Sequence, residues 1–243
     1  MSRFDTIADQ YVDPGAYKPR KLYNIVFKRL IDLFFALILL VVLFPVLIII
    51  AIIVKLESPG PVLYCGIRTG YRGKPFRIFK FRSMEKNAEL LGGGTTANND
   101  SRITRLGKFL RKTKLDEIPQ LFNIILGEMS FIGPRPELPK YTALYQGAEK
   151  IIFDVRPGIT DMSSIRFIRL DELVGSEDAD TMYEREILHK KNALRVQYVV
   201  RQSFLLDFWL LFETVWRVIK KAISYIFKAG EQGDARDNGT EKI

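Results

Sequence analysis

The chain has 243 residues, with 37 Lys and Arg against 28 Asp and Glu and a net charge of +9. This length allows one domain with a substantial core, and the basic balance favours a polyanionic partner: an anionic membrane surface, a phosphorylated ligand or nucleic acid. Cys65 is the only cysteine and His189 the only histidine, which excludes a disulfide framework, a cysteine-based zinc site and a multi-histidine metal site. Any chemistry must therefore depend on carboxylates, hydroxyls and cations.

The N-terminal region consists of a polar arm, residues 1–20, followed by a membrane segment at 21–56. Residues 33–54 carry no charge and are long enough to cross a bilayer as a helix. Pro45 lies near the middle of this run, where a proline removes one backbone hydrogen bond and bends or breaks the helix. Both flanks are basic, so the positive-inside rule gives no orientation. The segment is either a kinked transmembrane helix or a re-entrant helix that breaks at Pro45 and returns to its starting face.

The predicted domain that follows, residues 57–228, begins with a β-hairpin. The runs ESPGPVLYC and PFRIFKFR are rich in aromatic and branched side chains, and the glycine-rich stretch GIRTGYRGK joins them. The segment LLGGGTTANND is typical of a flexible loop, and it has the pattern of neither a P-loop nor a dinucleotide-binding turn.

Two segments with an apolar face and a charged face predict helices that lie in a membrane interface. Residues 102–114 repeat apolar side chains on one face of a basic helix, a pattern that also fits a core helix with one solvated side. Residues 203–227 are strongly apolar but carry a polar stripe that includes Asp207, which suits an interfacial helix better than a transmembrane span. Residues 229–243 contain no aromatic side chain and are predicted to be disordered.

Two adjacent carboxylates, Asp116 and Glu117, follow the basic run RITRLGKFLRKTK in the motif KLDEIPQLFN. Asp116 could simply cap the N-terminus of the next helix, because Asp is favoured there and a proline is tolerated in the first turn. Alternatively, one carboxylate can attack phosphorus and form an acyl phosphate while its neighbour holds Mg²⁺. The basic run would then offset the repulsion between an anionic nucleophile and an anionic substrate.

Four arginines are candidates for holding phosphate, because a guanidinium fork matches phosphate geometry. They are Arg82, Arg111, Arg135 and Arg156. Arg135 lies between Pro134 and Pro136 in a loop fixed by prolines, and Arg156 lies in the rigid turn VRPGIT. Each of them taken alone could equally be a solvated surface side chain. Together with interfacial helices, they predict an anionic ligand at the membrane face.

Five stretches of the chain form an ordered set of motifs. They are KRLIDLFFALILLVVLFPVLIIIAIIVKLESPGPVLY, GKPFRIFKFRSM, LDEIPQLFNIILGEMSFIGPRP, RPGIT and SFLLD, and they cover about residues 20–220. This set resembles the bacterial sugar transferases, which are polyisoprenyl-phosphate hexose-1-phosphate transferases, also called monotopic phosphoglycosyl transferases. The resemblance implies transfer of a sugar 1-phosphate from a nucleotide sugar, usually a UDP-sugar, to undecaprenyl phosphate with Mg²⁺ as cofactor. It also implies a covalent aspartyl-phosphosugar intermediate and release of UMP.

The resemblance implies roles for individual residues as well. Asp116 would be the covalent nucleophile, and Glu117 would bind Mg²⁺. The remaining matches are Arg111, Pro134, Arg135, Pro136 and Asp207 in the site and Pro45 at the break of the re-entrant helix.

Two stretches depart from the family pattern. Many members have a Gln-containing strand end near position 66, where this chain has YCGIRTG. Many also continue PGITG into an Asn-Gly-Arg stretch, whereas this chain continues PGITDMSSIRFIRLDELV, with Asp161. Arg166 and Arg169 are the nearest candidates for the missing arginine, and neither aligns with it. The motifs therefore leave the identity of the sugar open.

The sequence as a whole predicts a mostly helical, monotopic membrane protein with a small β-hairpin, a re-entrant N-terminal helix and interfacial helices. Its expected partners are a UDP-sugar, undecaprenyl phosphate and the cytoplasmic face of the bacterial inner membrane, with no nucleic acid, and a homodimer is compatible with the sequence. One alternative is a membrane-anchored glycosyltransferase that releases UDP. The other is a basic membrane scaffold without catalysis, or a nucleic-acid-binding protein, although the chain has no recognisable nucleic-acid module.

Overall fold

The computed structural model describes residues 13–19, 22–86, 88, 100–166, 179–217 and 219–220. Within them the chain is mostly helical, as predicted. The α-helices are α1 (Lys28–Glu57), α2 (Arg105–Thr113), α3 (Gln120–Leu126), α4 (Pro139–Thr142), α5 (Met162–Arg166), α6 (Ala179–Met182), α7 (Leu188–Arg201) and α8 (204–217). The strands are β1 (Leu63–Thr69), β2 (Pro75–Phe81), β3 (Ser130–Ile132) and β4 (Gly158–Thr160). Most of the predicted arm and glycine-rich loop, and all of the predicted disordered tail, lie outside the described residues.

The predicted apolar segment forms α1 and a π-helical turn before it. Together they make a helix of 35 residues, Tyr23–Glu57, which contains an 18-residue stretch with a mean hydropathy of 3.7 and is long and apolar enough to cross a membrane. Large apolar side chains along it are exposed, among them Val41 at 75% and Leu56 at 80%. The helix continues across Pro45 as one element, because a proline removes only one of the hydrogen bonds that hold a helix. The helix thus shows no interruption of its secondary structure at Pro45, and the bend there and the re-entrant course stay predictions.

The C-terminal end of α1 is held by Arg82. Its buried guanidinium donates hydrogen bonds to the carbonyl oxygens of Val54 (3.2 Å), Ser58 (2.6 Å) and Pro59 (3.3 Å). The last carbonyls of a helix have no partner within it and carry a partial negative charge, which a cation complements. Gly60 has a φ of +133°, and a Cβ there would lie 2.2 Å from Arg82 Nη1, so glycine is needed beside the guanidinium. Arg82 thus fixes where the membrane helix meets the domain.

The predicted β-hairpin is present and packs against both α1 and α3. Strands β1 and β2 pair in antiparallel register over their full length. Phe76 and Ile78 on the inner face of β2 are buried against Ala36 of α1 and Ile124 of α3. The hairpin therefore links the membrane helix to the segment that carries the two carboxylates.

A buried amide locks α3 against the hairpin. Asn123 Oδ1 accepts a hydrogen bond from the Phe79 N–H (2.9 Å), and its Nδ2 donates to the Arg77 carbonyl (2.7 Å) and to Glu128 Oε2 (2.7 Å). The amide group pairs with the backbone of β2 much as a neighbouring strand would. As a result, side chains on β2 keep a fixed position relative to the start of α3.

A second sheet, which the sequence did not predict, consists of the parallel strands β3 and β4. Each has three residues, too few for an alternating pattern to be recognised. The backbone of β4 lies in close contact with the backbone just after β3, because a Cβ on Gly158 would lie 2.1 Å from the nitrogen of Gly133. The Gly158 N–H donates to the carbonyl of Pro134 at 3.1 Å. This sheet therefore anchors the Pro134–Arg135–Pro136 loop.

Asp207 ties α8 to the beginning of the membrane helix. Its carboxylate accepts hydrogen bonds from the hydroxyls of Tyr198 and Tyr23, both at 2.7 Å, and forms a buried ion pair with Lys28. Next to this contact α8 presents an exposed apolar face, formed by Leu205, Phe208, Phe212 and Trp216. The structure thus assigns Asp207 a role in joining α8 to the start of α1, and the interfacial position of α8 stays a prediction.

Arg82→Met should lower the free energy of unfolding by about 3 kcal/mol, because it leaves the carbonyls at the end of α1 without donors. Arg68→Met is the matched control, since Arg68 on β1 donates to the carbonyl of its neighbour Ile67 in a solvent-exposed hydrogen bond. Thermal unfolding of both variants in detergent micelles measures the difference. Equal melting temperatures would contradict the capping role of Arg82.

Candidate active site

The Asp116–Glu117 pair lies in a turn between two helices. After α2, Lys114 adopts a left-handed backbone (φ 61°) that redirects the chain, and the 3-10 turn Leu115–Glu117 leads towards α3. Both acidic residues are buried, with 6% and 7% of their surface exposed. The cap position of α3 is Pro119, and no side chain caps this helix. The interpretation of Asp116 as a helix cap is therefore wrong.

Glu117 is the centre of an ion cluster. Its Oε1 accepts hydrogen bonds from Lys80 Nζ at 3.0 Å and from Arg135 Nη2, and its Oε2 accepts from Arg135 Nη1 at 3.3 Å. Arg135 Nη1 also donates to the carbonyl of Ile159 at 3.1 Å. The carboxylate thus faces both arms of a guanidinium fork together with an ammonium group.

Lys80 was not among the predicted site residues, although the sequence contains a signal for it. Side chains two apart in a strand point to the same face, and Lys80 shares the face of Phe76 and Ile78, which are buried. A lysine on the inner face of a hairpin needs an acidic partner. The pattern indicates that such a partner exists, but the packing of α3 on the hairpin is needed to identify it as Glu117.

The two carboxyl groups of the pair have pKa shifts of opposite sign. Burial alone would raise the pKa of Glu117, but the positive charges of Arg135 and Lys80 outweigh it and hold that pKa well below the ordinary 4.5. Burial raises the pKa of Asp116 above the ordinary 3.8, and nearby positive charges, Lys80 foremost, offset only part of the effect. Glu117 is therefore a neutralised, fixed anion, whereas Asp116 is a carboxyl group whose anion is poorly stabilised.

Asp116 differs from Glu117 in its hydrogen bonds as well. Its Oδ1 atom is buried and accepts no hydrogen bond from any residue in the described part of the chain. Buried carboxylate oxygens nearly always have a donor, and exceptions cluster at functional sites. The unpaired oxygen beside a fixed anion makes Asp116 the member of the pair with unused hydrogen-bonding capacity.

The backbone of Arg135 is held by a second buried ion pair. Asp161 Oδ2 accepts a hydrogen bond from the Arg135 N–H at 3.0 Å and lies 3.2 Å from Arg195 Nε. Asp161 and Arg195 are fully buried, and Arg195 Nη2 also lies 2.7 Å from Glu137. A chain of polar contacts therefore runs from Arg195 of α7 through Asp161 to the backbone of Arg135, whose side chain pairs with Glu117.

Sequence reasoning noted Asp161 only as a departure from the family pattern and missed Arg195. The one available signal is that Arg195 lies between Leu194 and Val196 in a helix whose neighbouring positions are largely buried. A fully buried arginine is rare unless it is paired. Its acidic partners lie 34 and 58 positions away in the chain, so no local pattern could name them.

The other predicted phosphate-binding arginines have different surroundings. Arg111 lies in the last turn of α2, and its positive charge acts on the Asp116 carboxyl. Arg82 is engaged at the end of α1, and Arg156 donates to the carbonyls of Gly127 (2.9 Å) and Asn24 (3.3 Å). The structure thus brings Arg111 and Arg135 to the carboxylate pair and uses Arg82 and Arg156 to hold the membrane helix against the domain.

The carboxylate pair fits a metal that is shared with a ligand. Among the described residues, no group of three or more His, Cys, Asp or Glu side chains could hold a metal ion. Mg²⁺, however, commonly binds one or two carboxylates together with phosphate oxygens and water. Asp116 and Glu117 supply two adjacent carboxylates, and Oδ1 of Asp116 is a buried oxygen without a hydrogen-bond partner among the described residues. The donor set therefore suits Mg²⁺ that arrives with a phosphate and does not form a cage made of protein alone.

Asp161→Asn should lower the free energy of unfolding at neutral pH by about 3 kcal/mol, because it removes a charge partner of the buried Arg195. Burial would raise the pKa of Asp161, but Arg195 outweighs it and holds that pKa below the ordinary 3.8. The stabilisation is therefore complete above that pH and is lost as the pH falls through the lowered pKa. Chemical unfolding from neutral to acid pH should show a smaller loss of stability in the variant than in the wild type.

Glu186→Gln is the control for this experiment. Its ion pair with Lys190 lies on the surface at 3.7 Å, and such exposed pairs contribute at most about 1 kcal/mol. If Asp161→Asn and Glu186→Gln had the same unfolding free energy at every pH, the Asp161–Arg195 pair would not stabilise the fold.

Several known proteins are similar to this chain in sequence. A family model described as bacterial sugar transferase matches residues 23–221. UDP-glucose:undecaprenyl-phosphate glucose-1-phosphate transferase of Klebsiella pneumoniae is 36% identical over 224 residues, which are 89% of this chain and 45% of that protein. Undecaprenyl-phosphate glucose phosphotransferase of Komagataeibacter xylinus is 36% identical over 209 residues, 83% of this chain and 37% of that protein. This chain therefore spans less than half the length of either transferase.

A shorter relative matches over almost its whole length. Exopolysaccharide production protein PSS of Rhizobium leguminosarum bv. phaseoli is 36% identical over 199 residues, which are 79% of this chain and 94% of that protein. The family match extends from the start of the membrane helix to the end of α8 and includes the whole Glu117 ion cluster. The resemblance inferred from the motifs is thereby confirmed, and the chain belongs to the bacterial sugar transferase family.

Proposed function

We propose that this protein is a phosphoglycosyl transferase that moves a sugar 1-phosphate from a UDP-sugar to undecaprenyl phosphate and releases UMP. The observation that carries the proposal is the unequal pair of carboxylates. Glu117 is neutralised by Arg135 and Lys80, whereas Asp116 keeps a buried oxygen without a partner among the described residues. The names of the Klebsiella and Komagataeibacter transferases support the acceptor, and the name of the Rhizobium relative supports a place in exopolysaccharide synthesis.

The reaction would proceed in two displacements at one phosphorus atom. In the first, an oxygen of Asp116 forms a bond to the β-phosphorus of the UDP-sugar, the bond from that phosphorus to the bridging oxygen breaks, and UMP leaves with this oxygen. In the second, an oxygen of undecaprenyl phosphate forms a bond to the same phosphorus, and the acyl phosphate bond breaks to restore the carboxylate. The double displacement lets a soluble donor and a lipid acceptor use one compact site in turn.

The cations around the pair would stabilise the negative charge of the transferring phosphoryl group. Arg135 and Lys80 form ion pairs with Glu117, and the positive charge of Arg111 acts on the Asp116 carboxyl group. Because these cations are already held beside the carboxylates, they need only a short movement to reach a phosphate oxygen. Mg²⁺ held by Glu117 together with the phosphate would neutralise further charge on its oxygens.

The protein would work as a monotopic enzyme at the cytoplasmic face of the bacterial inner membrane, in the first membrane step of a surface polysaccharide or glycoconjugate pathway. The exposed apolar side chains of α1 and of the outer face of α8 support contact with lipid. In α2, Leu110 is buried while Phe109 is 39% exposed, which suits a helix that packs on the core and also meets the interface. The basic residues on both flanks of α1 support a course that returns to one face.

Incubation of the enzyme with Mg²⁺ and a panel of UDP-sugars, without lipid, should release about one equivalent of UMP, as expected of a covalent intermediate. The peptide that contains Asp116 should gain the mass of the sugar phosphate. Asp116→Asn should release none, because an amide cannot attack phosphorus, and Glu117→Gln should be severely slowed. Glu186→Gln, which alters a surface carboxylate, should behave as the wild type.

Other results of this experiment would contradict the proposal. UMP that appears only when the lipid acceptor is present, with no adduct, would mean direct displacement. Release of UDP in place of UMP would show a glycosyltransferase. No turnover with any donor, together with salt-dependent binding to anionic surfaces, would indicate a basic scaffold.

The course of α1 is tested by labelling two single cysteines, one at position 10 and one in the C-terminal tail, in a background that lacks Cys65. A re-entrant α1 should leave both sites reactive from the same side of sealed inner-membrane vesicles. Pro45→Ala should straighten the helix and shift part of the population towards a transmembrane course. Reactivity of the two sites from opposite sides in the unaltered helix would refute the monotopic arrangement.

A further inference from the structure

Gln120 is a buried amide whose donor group is left unpaired beside the carboxylates. The residue is 1% exposed, and its Nε2 atom makes no hydrogen bond within the described residues. A buried donor without a partner costs about 1–3 kcal/mol. Asp116 Oδ1 is unpaired and buried in the same way, so two such atoms belong to one stretch of five residues.

The unpaired amide lies on the side of the carboxylate pair. The backbone is helical in character from the turn Leu115–Glu117 through Ile118 and Pro119 into α3. The N–H groups of Glu117, Ile118 and Leu121 donate to the carbonyl three positions earlier, and side chains three apart on such a path lie one above the other, which places Gln120 over Glu117. Neither the amide nor Asp116 Oδ1 is paired within the described residues, so both keep hydrogen-bonding capacity for a ligand.

The same helix shows that a buried amide can be fully paired in this fold. Asn123 is completely buried, and its amide is bonded to the Phe79 N–H, the Arg77 carbonyl and Glu128. Gln120 is the first residue of α3, one turn before Asn123, so the unpaired donor is a property of the end of α3 that follows the carboxylates. A buried group that stays unpaired in a native protein needs an explanation, and the binding of a ligand is one.

We propose that Gln120 is a catalytic residue whose Nε2 donates a hydrogen bond to a non-bridging oxygen of the phosphoryl group that is transferred to Asp116. This inference rests on the proposed function. Charge accumulates on the non-bridging oxygens during phosphoryl transfer, and a prepositioned donor stabilises it. A neutral amide suits this place because a cation would pair with Asp116 in the absence of substrate and weaken the nucleophile.

Gln120→Met tests this role, because it keeps the length of the side chain and removes the donor. The rate of UMP release without lipid should fall by about 100-fold, the effect of removing one such donor. The melting temperature should stay the same or rise, since an unpaired buried amide is replaced by an apolar group. Asn123→Leu is the matched control: it removes a fully bonded amide from the same helix and should lower the melting temperature.

Gln120→Glu gives a second, independent readout. The ionised side chain has no donor and repels the phosphate, but the protonated carboxylic acid regains one donor. The rate of UMP release, relative to the wild type at the same pH, should therefore recover as the pH falls. A residue with only a structural role would give no such recovery.

Three results would decide against the proposal, and they are distinguishable. A folded Gln120→Met protein with the wild-type rate of UMP release would show that the amide does not act on the phosphate. A parallel loss of rate and melting temperature, as in Asn123→Leu, with no recovery of Gln120→Glu at lower pH, would show a structural role. Absence of UMP release from the wild type with every donor would instead overturn the proposed function itself.

Discussion

The site depends on keeping the Glu117 carboxylate ionised inside the protein. Burial of a charge costs several kcal/mol unless partners of opposite charge and good geometry lie against it. Those partners come from separate parts of the chain: Lys80 from the hairpin and Arg135 from the loop that the second sheet anchors. The ion cluster therefore forms only when the hairpin, the second sheet and the turn before α3 meet, and this couples the site to the completed fold.

Polar contacts hold the membrane helix to the domain at both ends of α1. Arg82 binds the carbonyls where α1 ends, and the Lys28–Asp207 pair joins its beginning to α8. Apolar contact cannot by itself fix this position in a bilayer, because lipid chains are as apolar as the side chains of the helix. Directional hydrogen bonds and ion pairs therefore fix the position of α1 on the domain. Arg82, which the sequence offered as a phosphate-binding residue, makes such hydrogen bonds.

The pair Asp116 and Glu117 shows how adjacent, chemically similar groups acquire different properties. Both are buried, yet Glu117 has three cationic hydrogen bonds and Asp116 Oδ1 has no donor among the described residues. The unpaired amide of Gln120 adds to the imbalance at the end of α3 that follows the carboxylates. Such a site is less stable without its ligand than a fully paired one, and the proposed phosphate ligand would relieve part of that cost by accepting a hydrogen bond from the Gln120 amide.

The sequence by itself determined the helical class, the hairpin, the long apolar helix, the family and the position of the carboxylate pair. Each depends on local periodicity or on contiguous motifs. Only the tertiary structure decided that α1 continues across Pro45, that a second sheet exists, and that Lys80, Asp161 and Arg195 support the site. The physical reason is clearest for Arg82 and Arg135, because in sequence each is an arginine that could bind phosphate. Only the packing of distant segments makes Arg82 a partner of the carbonyls at the end of α1 and Arg135 a partner of Glu117.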